Sequence, residues 1–231
     1  MSSDLVLVPG LLCNRELWAY QSANLAHVVR ITVADVTQDR SIAAMAQRLL
    51  VAAPPVFSIA GLSMGGYVAQ EVMRQAPERV TRLALLDTSA RPDSDEQMVR
   101  RRGLIDLSTK GQFRGVTPRL LPLLIHPERL DETLLVTRIT AMAEDVGQAS
   151  FVRQQTAIMG RIDGRPSLAK IKCPTVVIGG ADDLITPPEV MREIAALVPS
   201  ASCHLLPECG HLATMEEPEA VTALLAAWLA K

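Results

Sequence analysis

The sequence predicts an α/β fold: a mostly parallel, six-stranded sheet with helices on both faces and one helical insertion. Three observations predict it. Short apolar runs rich in valine, leucine and isoleucine, suited to strands covered on both faces, alternate with segments whose apolar residues recur at helical spacing. The links between them are short, which favours parallel strands joined by right-handed crossovers. From about residue 90 to residue 165 the alternation stops and only helical patterns continue.

Leu5-Val6-Leu7-Val8 is the first strand, closed by Pro9-Gly10, and Asn14 is placed to cap a helix over Arg15–His27. Arg30–Ala34 is the second strand. After a polar turn from Asp35 to Arg40, Ile42, Met45, Ala46 and Leu49 mark a helix. Val56-Phe57-Ser58-Ile59, opened by Pro54-Pro55, is the third strand. The helix behind it carries Val68, Val72 and Met73 on one side and stops before Pro77. Val80–Asp87 is the fourth strand. Residues 90–165 are rich in leucine, including Leu120, Leu121, Leu124 and Leu135, and are split near Gly103, Gly111, Pro118, Pro122 and Gly147. Such a stretch is expected to lie as a cap over the carboxyl edge of the sheet, leaving residues 1–89 and 166–231 as the core. Pro174–Gly180 is the fifth strand. Thr186-Pro187-Pro188-Glu189 then combines a Thr-x-x-Glu capping pattern with proline at the first helical position, and the helix runs to about Val198. Ser202–Leu206 is the sixth strand, and Pro218–Leu229 is the closing helix.

The composition narrows the function classes. With 231 residues, 48% of them hydrophobic, the chain suits one domain with a modest insertion. Its formal net charge is -2 and it has no long basic run, so neither nucleic acid nor an anionic membrane surface is an expected partner. Arg100-Arg101-Arg102 reads as a solvated helix face. No segment reaches the roughly 18 apolar residues that span a bilayer, and the first residues lack a basic signal-peptide region, so a soluble, cytoplasmic protein is expected. Cys13, Cys173, Cys203 and Cys209 form no Cys-x-x-Cys pair and show no ligand spacing with the four histidines. They are expected to be free thiols, and neither a metal nor a cofactor is implied. No motif specifies an oligomer.

The chemistry centres on Gly61-Leu62-Ser63-Met64-Gly65, which lies between a predicted strand and a predicted helix. A serine hydroxyl is a weak nucleophile unless it is pushed clear of the sheet, met by a base and set beside backbone N–H groups at a helix N-terminus. A turn sharp enough to do this leaves no room for a Cβ at Gly61 or Gly65, where it would press on the opposite limb. Downstream, Asp183 and then His211 also follow predicted strands. The carboxyl ends of parallel strands share one edge, so Ser63, Asp183 and His211 can meet there.

The order serine, acid, histidine resembles that of the α/β-hydrolase fold superfamily, and three stretches carry the resemblance across nearly the whole chain. Gly61-Leu62-Ser63-Met64-Gly65 is similar to its nucleophile elbow. Gly180-Ala181-Asp182-Asp183, with Pro187 following, is similar to its acid loop, a spacing that selects Asp183 over Asp182. Cys209-Gly210-His211 with Glu217-Pro218 is similar to its histidine loop. The resemblance is to small cofactor-free serine esterases, lactonases and carbon–carbon-bond hydrolases.

That resemblance implies a catalytic triad of Ser63, Asp183 and His211, with an oxyanion hole made by the backbone N–H groups of Leu11 and Met64. The implied substrate is a small-molecule carboxylic ester with a small to medium apolar acyl group. A lactonase, a carbon–carbon-bond hydrolase or a small-molecule receptor of the same fold are the alternatives. Asp87, ending the fourth strand, stands at the family's alternative acid position, with bonding to nearby loop N–H groups as its plainer role. His126, in the insertion, is a candidate to face the pocket; His204, within a strand, is not. Two departures stand out: Pro9-Gly10 replaces the usual His-Gly, and no antiparallel strands precede the first parallel one.

Overall fold

In the computed structural model, which describes residues 3–111 and 113–231, six strands form one sheet in which every neighbouring pair is parallel. They are β1 (Ser3–Val8), β2 (Val29–Val33), β3 (Phe57–Leu62), β4 (Val80–Leu86), β5 (Thr175–Gly180) and β6 (Ala201–Leu206), ordered β2-β1-β3-β4-β5-β6. The sheet is wholly parallel, where the sequence suggested mostly so. The helices are α1 (Ala19–Leu25), α2 (Ile42–Ala52), α3 (Met64–Gln75), α4 (Asp95–Lys110), α5 (Leu121–Leu124), α6 (Thr133–Met159), α7 (Arg165–Leu168), α8 (Pro188–Leu197), α9 (Ala213–Glu216) and α10 (Pro218–Leu229).

The two-residue period of the strands sorts the core into two layers. Leu5, Leu7, Ala60, Leu62, Ala84 and Leu86 pack on one face with Leu25 of α1 and with Val221, Leu225 and Trp228 of α10. Val6, Val8, Ile59, Leu83 and Leu85 pack on the other with Met45 of α2, Val72 of α3 and Ile194 of α8. The central strands therefore find apolar partners on both faces, and they read as nearly unbroken apolar runs.

The strand order reverses between β1 and β3, which lie side by side with Val8 opposite Gly61. The loops leaving these two strands diverge from a crevice at the sheet's carboxyl edge, where open α/β sheets bind ligands.

Local structure departs from the sequence reading in three places. Where one helix was expected over Arg15–His27, a 3-10 turn (Arg15–Trp18) precedes α1. Asn14 caps it by accepting the Glu16 N–H at 2.9 Å, and the tight turn lets both Leu17 and Trp18 enter the core. The expected Thr186 cap of α8 is absent: α8 starts after Pro187 with no side-chain cap, because the Thr186 hydroxyl is engaged elsewhere. Arg101 leaves the solvated face expected for Arg100–Arg102. Its guanidinium pairs at 2.6 Å with buried Asp93, which also takes Arg161 at 2.6 Å.

That Asp93 pair and the Gly164 N–H bond to Ala90 O, at 2.7 Å, tie the two ends of the 90–165 stretch together. Helix α6 is broken at Gly147, whose φ of 76° and ψ of 169° no helical residue adopts. Its second arm, beyond Gly147, touches the loops after β1 and β2 through Gln154.

Candidate active site

Ser63 sits on the turn between β3 and α3 with φ 56° and ψ −118°, a conformation that costs about 1–3 kcal/mol and persists only where the surroundings enforce it. Here they do. The Ser63 N–H donates to Leu86 O at 2.9 Å, and its carbonyl accepts from the Thr88 hydroxyl at 2.7 Å and from the Gly66 N–H at 2.9 Å. A Cβ at Gly61 would overlap the Gly65 carbonyl across the turn, as the sequence suggested. At Gly65 the obstacle differs: a Cβ there would overlap the carbonyl groups of Val8 and Pro9 at the end of β1, so this glycine packs the elbow against the neighbouring loop.

His211 follows β6 and is 3% exposed; Asp183 follows β5 and is 2% exposed. The His211 ring bridges the other two residues, with Nε2 2.9 Å from Ser63 Oγ and Nδ1 2.8 Å from Asp183 Oδ2. The structure thus gathers Ser63, Asp183 and His211 into one hydrogen-bonded chain. Asp183 accepts from more than the ring. Oδ1 takes the N–H groups of Ile185 at 2.8 Å and Thr186 at 3.0 Å, and Oδ2 takes the Thr186 hydroxyl at 2.5 Å. Burial pushes the Asp183 carboxyl up, but the paired His211 ring and the Thr186 donors outweigh it and hold the group below the ordinary carboxylate range.

The histidine loop is held by a second acid that the sequence reading missed. Glu216, 1% exposed, accepts from the N–H groups of Gly210 and Leu212 at 3.1 Å and of His126 at 2.7 Å. Leu124 O in turn accepts from the N–H groups of His211 at 3.0 Å and Leu212 at 3.2 Å. The segment around α5 is therefore stapled to the loop that carries His211. His126 contributes its backbone here. Its ring lies 3.8 Å from Asp182 and accepts from the Glu128 N–H, so it does not join the chain of Ser63, Asp183 and His211.

Asp87 is fully buried behind Asp183, with a φ of 42°. Its Oδ1 accepts from the Gly180 N–H at 2.9 Å, the plainer of its two expected roles, while Oδ2 has no hydrogen-bond partner among the described residues. Burial and then the Asp183 charge push its carboxyl well above the ordinary range.

The loop after β1 turns over Gly10-Leu11-Leu12-Cys13, closed by the Cys13 N–H donating to Gly10 O at 3.2 Å. Gly10 packs against Ser63: a Cβ built on it would stand 3.3 Å from the serine Cβ. Among the described residues the N–H groups of Leu11 and Met64 have no partner within the protein, Met64 being the first residue of α3. All four cysteines are free. Burial raises the Cys13 thiol to about 12, and it donates to Leu11 O at 3.3 Å as a neutral group.

Among the described residues no cluster of three or more histidine, cysteine or acidic side chains is placed to hold a metal. No helix there is long and apolar enough to cross a membrane. Among the described residues, cavities open away from this site beside Arg40 and Arg153 (460 Å³) and beside Tyr67 and Arg161 (170 Å³).

The sequence matches the alpha/beta hydrolase family over residues 5–224. BpoC of Mycobacterium tuberculosis, which carries the name of a non-heme bromoperoxidase, is 32% identical over 172 residues, covering 72% of this chain and 66% of that protein. A pimeloyl-[acyl-carrier protein] methyl ester esterase of Edwardsiella ictaluri is 25% identical over 96% of this chain and 91% of its own. Among solved structures, a thermophilic esterase from Thermogutta terrifontis superposes with a TM-score of 0.90 at 28% identity, covering 99% of this chain and 90% of that one. A match that runs from β1 into α10, on a sheet and a serine turn of this geometry, means that the chain belongs to the alpha/beta hydrolase family, a family of enzymes.

Proposed function

We propose that the protein is a serine hydrolase that cleaves carboxylic esters of small to medium apolar acyl groups through an acyl-enzyme. The observation that carries this reading is the continuous hydrogen-bonded chain from Ser63 Oγ through His211 to Asp183. In the reaction His211 Nε2 takes the Ser63 proton as Oγ bonds to the acyl carbon, and the carbonyl electron pair moves onto oxygen. The N–H groups of Leu11 and Met64 hold that oxyanion. The imidazolium then returns its proton to the departing alkoxide as the C–O bond breaks, and water repeats the sequence to release the acid. Asp183 fixes the Nδ1–H tautomer and stabilises the imidazolium; its depressed carboxyl range keeps it charged for that task.

Similarity to a solved esterase and to a methyl ester esterase supports ester cleavage on this site. We further assign residues 1–89 and 166–231 to the catalytic core and 90–165 to a cap. Leu121, Ile125, Leu135, Ile139 and Met142, all buried in that stretch, support an apolar acyl-binding side. A series of p-nitrophenyl esters of increasing chain length tests the proposal. Turnover is expected to favour uncharged acyl chains and to vanish in Ser63→Ala, whereas a preference for charged acyl groups, or full activity in that variant, would contradict it.

A further inference from the structure

Gln154 lies in the second arm of α6, is 0% exposed, and has no part in the chain of Ser63, His211 and Asp183. Its Oε1 accepts the Leu12 N–H at 3.0 Å, across 142 residues of sequence, and its Nε2 donates to Val36 O at 3.2 Å. A buried amide that satisfies both of its ends by joining the loop after β1 to the loop after β2 is doing so at a defined place.

That place is the strained half of the turn. Leu12 is its third residue and has a φ of 58°, while Leu11 keeps a negative φ. This is the pattern of a type II turn, in which the third position normally goes to glycine and the peptide between the two central residues is flipped relative to type I. A leucine holds that conformation only against resistance, and Pro9, with neither an N–H nor a polar side chain, offers no help. The flipped peptide is the one whose N–H Gln154 accepts. One peptide earlier, the Gly10 carbonyl is committed to the Cys13 N–H, so the Leu11 N–H, trans to it, points the opposite way, out of the turn.

We propose that Gln154 is a positioning residue of the oxyanion hole: by locking the Leu11–Leu12 peptide it aims the Leu11 N–H at the oxygen that becomes negative when Ser63 attacks. The inference rests on the serine-hydrolase reading above. The second arm of α6 thereby sets transition-state stabilisation, and the support is withdrawn if that arm moves.

The test compares Gln154→Met, which keeps the volume and removes both bonds, with Gln154→Glu, which keeps an acceptor for the Leu12 N–H. Active enzyme is counted by titration with a fluorophosphonate, so that partial unfolding does not enter kcat. Since loss of one oxyanion donor costs about 10²–10³ in kcat, its misalignment in Gln154→Met is expected to lower kcat at least about tenfold on p-nitrophenyl butyrate, with KM changed by less than about twofold. The inhibition constant of phenylboronic acid, which forms a tetrahedral adduct on the serine, rises in parallel, and Gln154→Glu falls between the two. An unchanged kcat in folded Gln154→Met, or a loss seen in KM alone with boronic acid binding intact, overturns the inference while leaving the hydrolase reading standing. A wild-type protein that neither labels nor turns over any ester overturns both.

Discussion

The Thr186 hydroxyl donates to Asp183 Oδ2 across 2.5 Å, and the same oxygen takes His211 Nδ1 at 2.8 Å. The threonine thus gives up capping α8 in order to hold the carboxylate that orients the imidazole. Three donors from residues 185 and 186, added to the ring, leave Asp183 no geometry in which the protonated form is equally well satisfied.

Thr186→Val, which keeps the shape and removes the donor, should therefore act on Asp183. A hydrogen bond to a charged group is worth about 1.5–3 kcal/mol, so kcat is expected to fall roughly ten- to hundredfold, with Thr186→Ser near wild type. The pH dependence follows. A depressed carboxyl contributes stability that is present above its unfolded value and lost as pH falls through the folded one. Removing a donor raises the folded value, so acid unfolding of Thr186→Val, followed by circular dichroism, should begin at higher pH than in wild type.

Asp87 has the opposite sign. Its raised carboxyl keeps its proton in the folded protein after the unfolded chain has released it. Stability is then fully present below the unfolded value and lost as pH rises through the folded one. Asp87→Asn keeps an acceptor for the Gly180 N–H and cannot ionise. Its Tm relative to wild type should climb as pH is raised from about 4, and a constant difference across pH would show that the carboxyl carries no such shift.

Two glycines should respond in opposite directions to the same added methyl. Gly65→Ala forces a Cβ onto the backbone carbonyls of Val8 and Pro9, which no rotamer change relieves. Overpacking of that kind costs about 3 kcal/mol or more, a Tm loss of roughly 6–12 °C in a domain of this size. Gly103, inside α4, has nothing within 4 Å of its added Cβ. There alanine removes a poor helix former and should raise stability by about 0.5–1 kcal/mol, measured by urea unfolding.

Much of this arrangement was legible in the sequence because it is written in short-range signals. The runs at Leu5–Val8 and Leu83–Leu86 announced buried parallel strands; Ser63 and Asp183 each followed such a run and His211 followed the half-buried edge strand β6, which is enough to bring them to one edge. What stayed hidden was decided by tertiary contacts. Thr186 carries a valid capping pattern, and only the position of Asp183 diverts it. Glu216 looks like any acid just ahead of the closing helix until the Gly210, Leu212 and His126 N–H groups converge on it. Gln154 is a polar residue in an amphipathic stretch, and nothing nearby in sequence points to Leu12. Arg101 was one of three arginines, and burial of Asp93 singled it out.

Labelling of the wild-type protein with a fluorophosphonate, followed by peptide mass spectrometry, tests the central claim most directly. The expected result is one phosphonyl group, on Ser63, lost in Ser63→Ala and formed far more slowly in His211→Gln because the base 2.9 Å from the hydroxyl is gone. No adduct on Ser63 under conditions that label a known serine esterase, or a rate indifferent to His211→Gln, would contradict it.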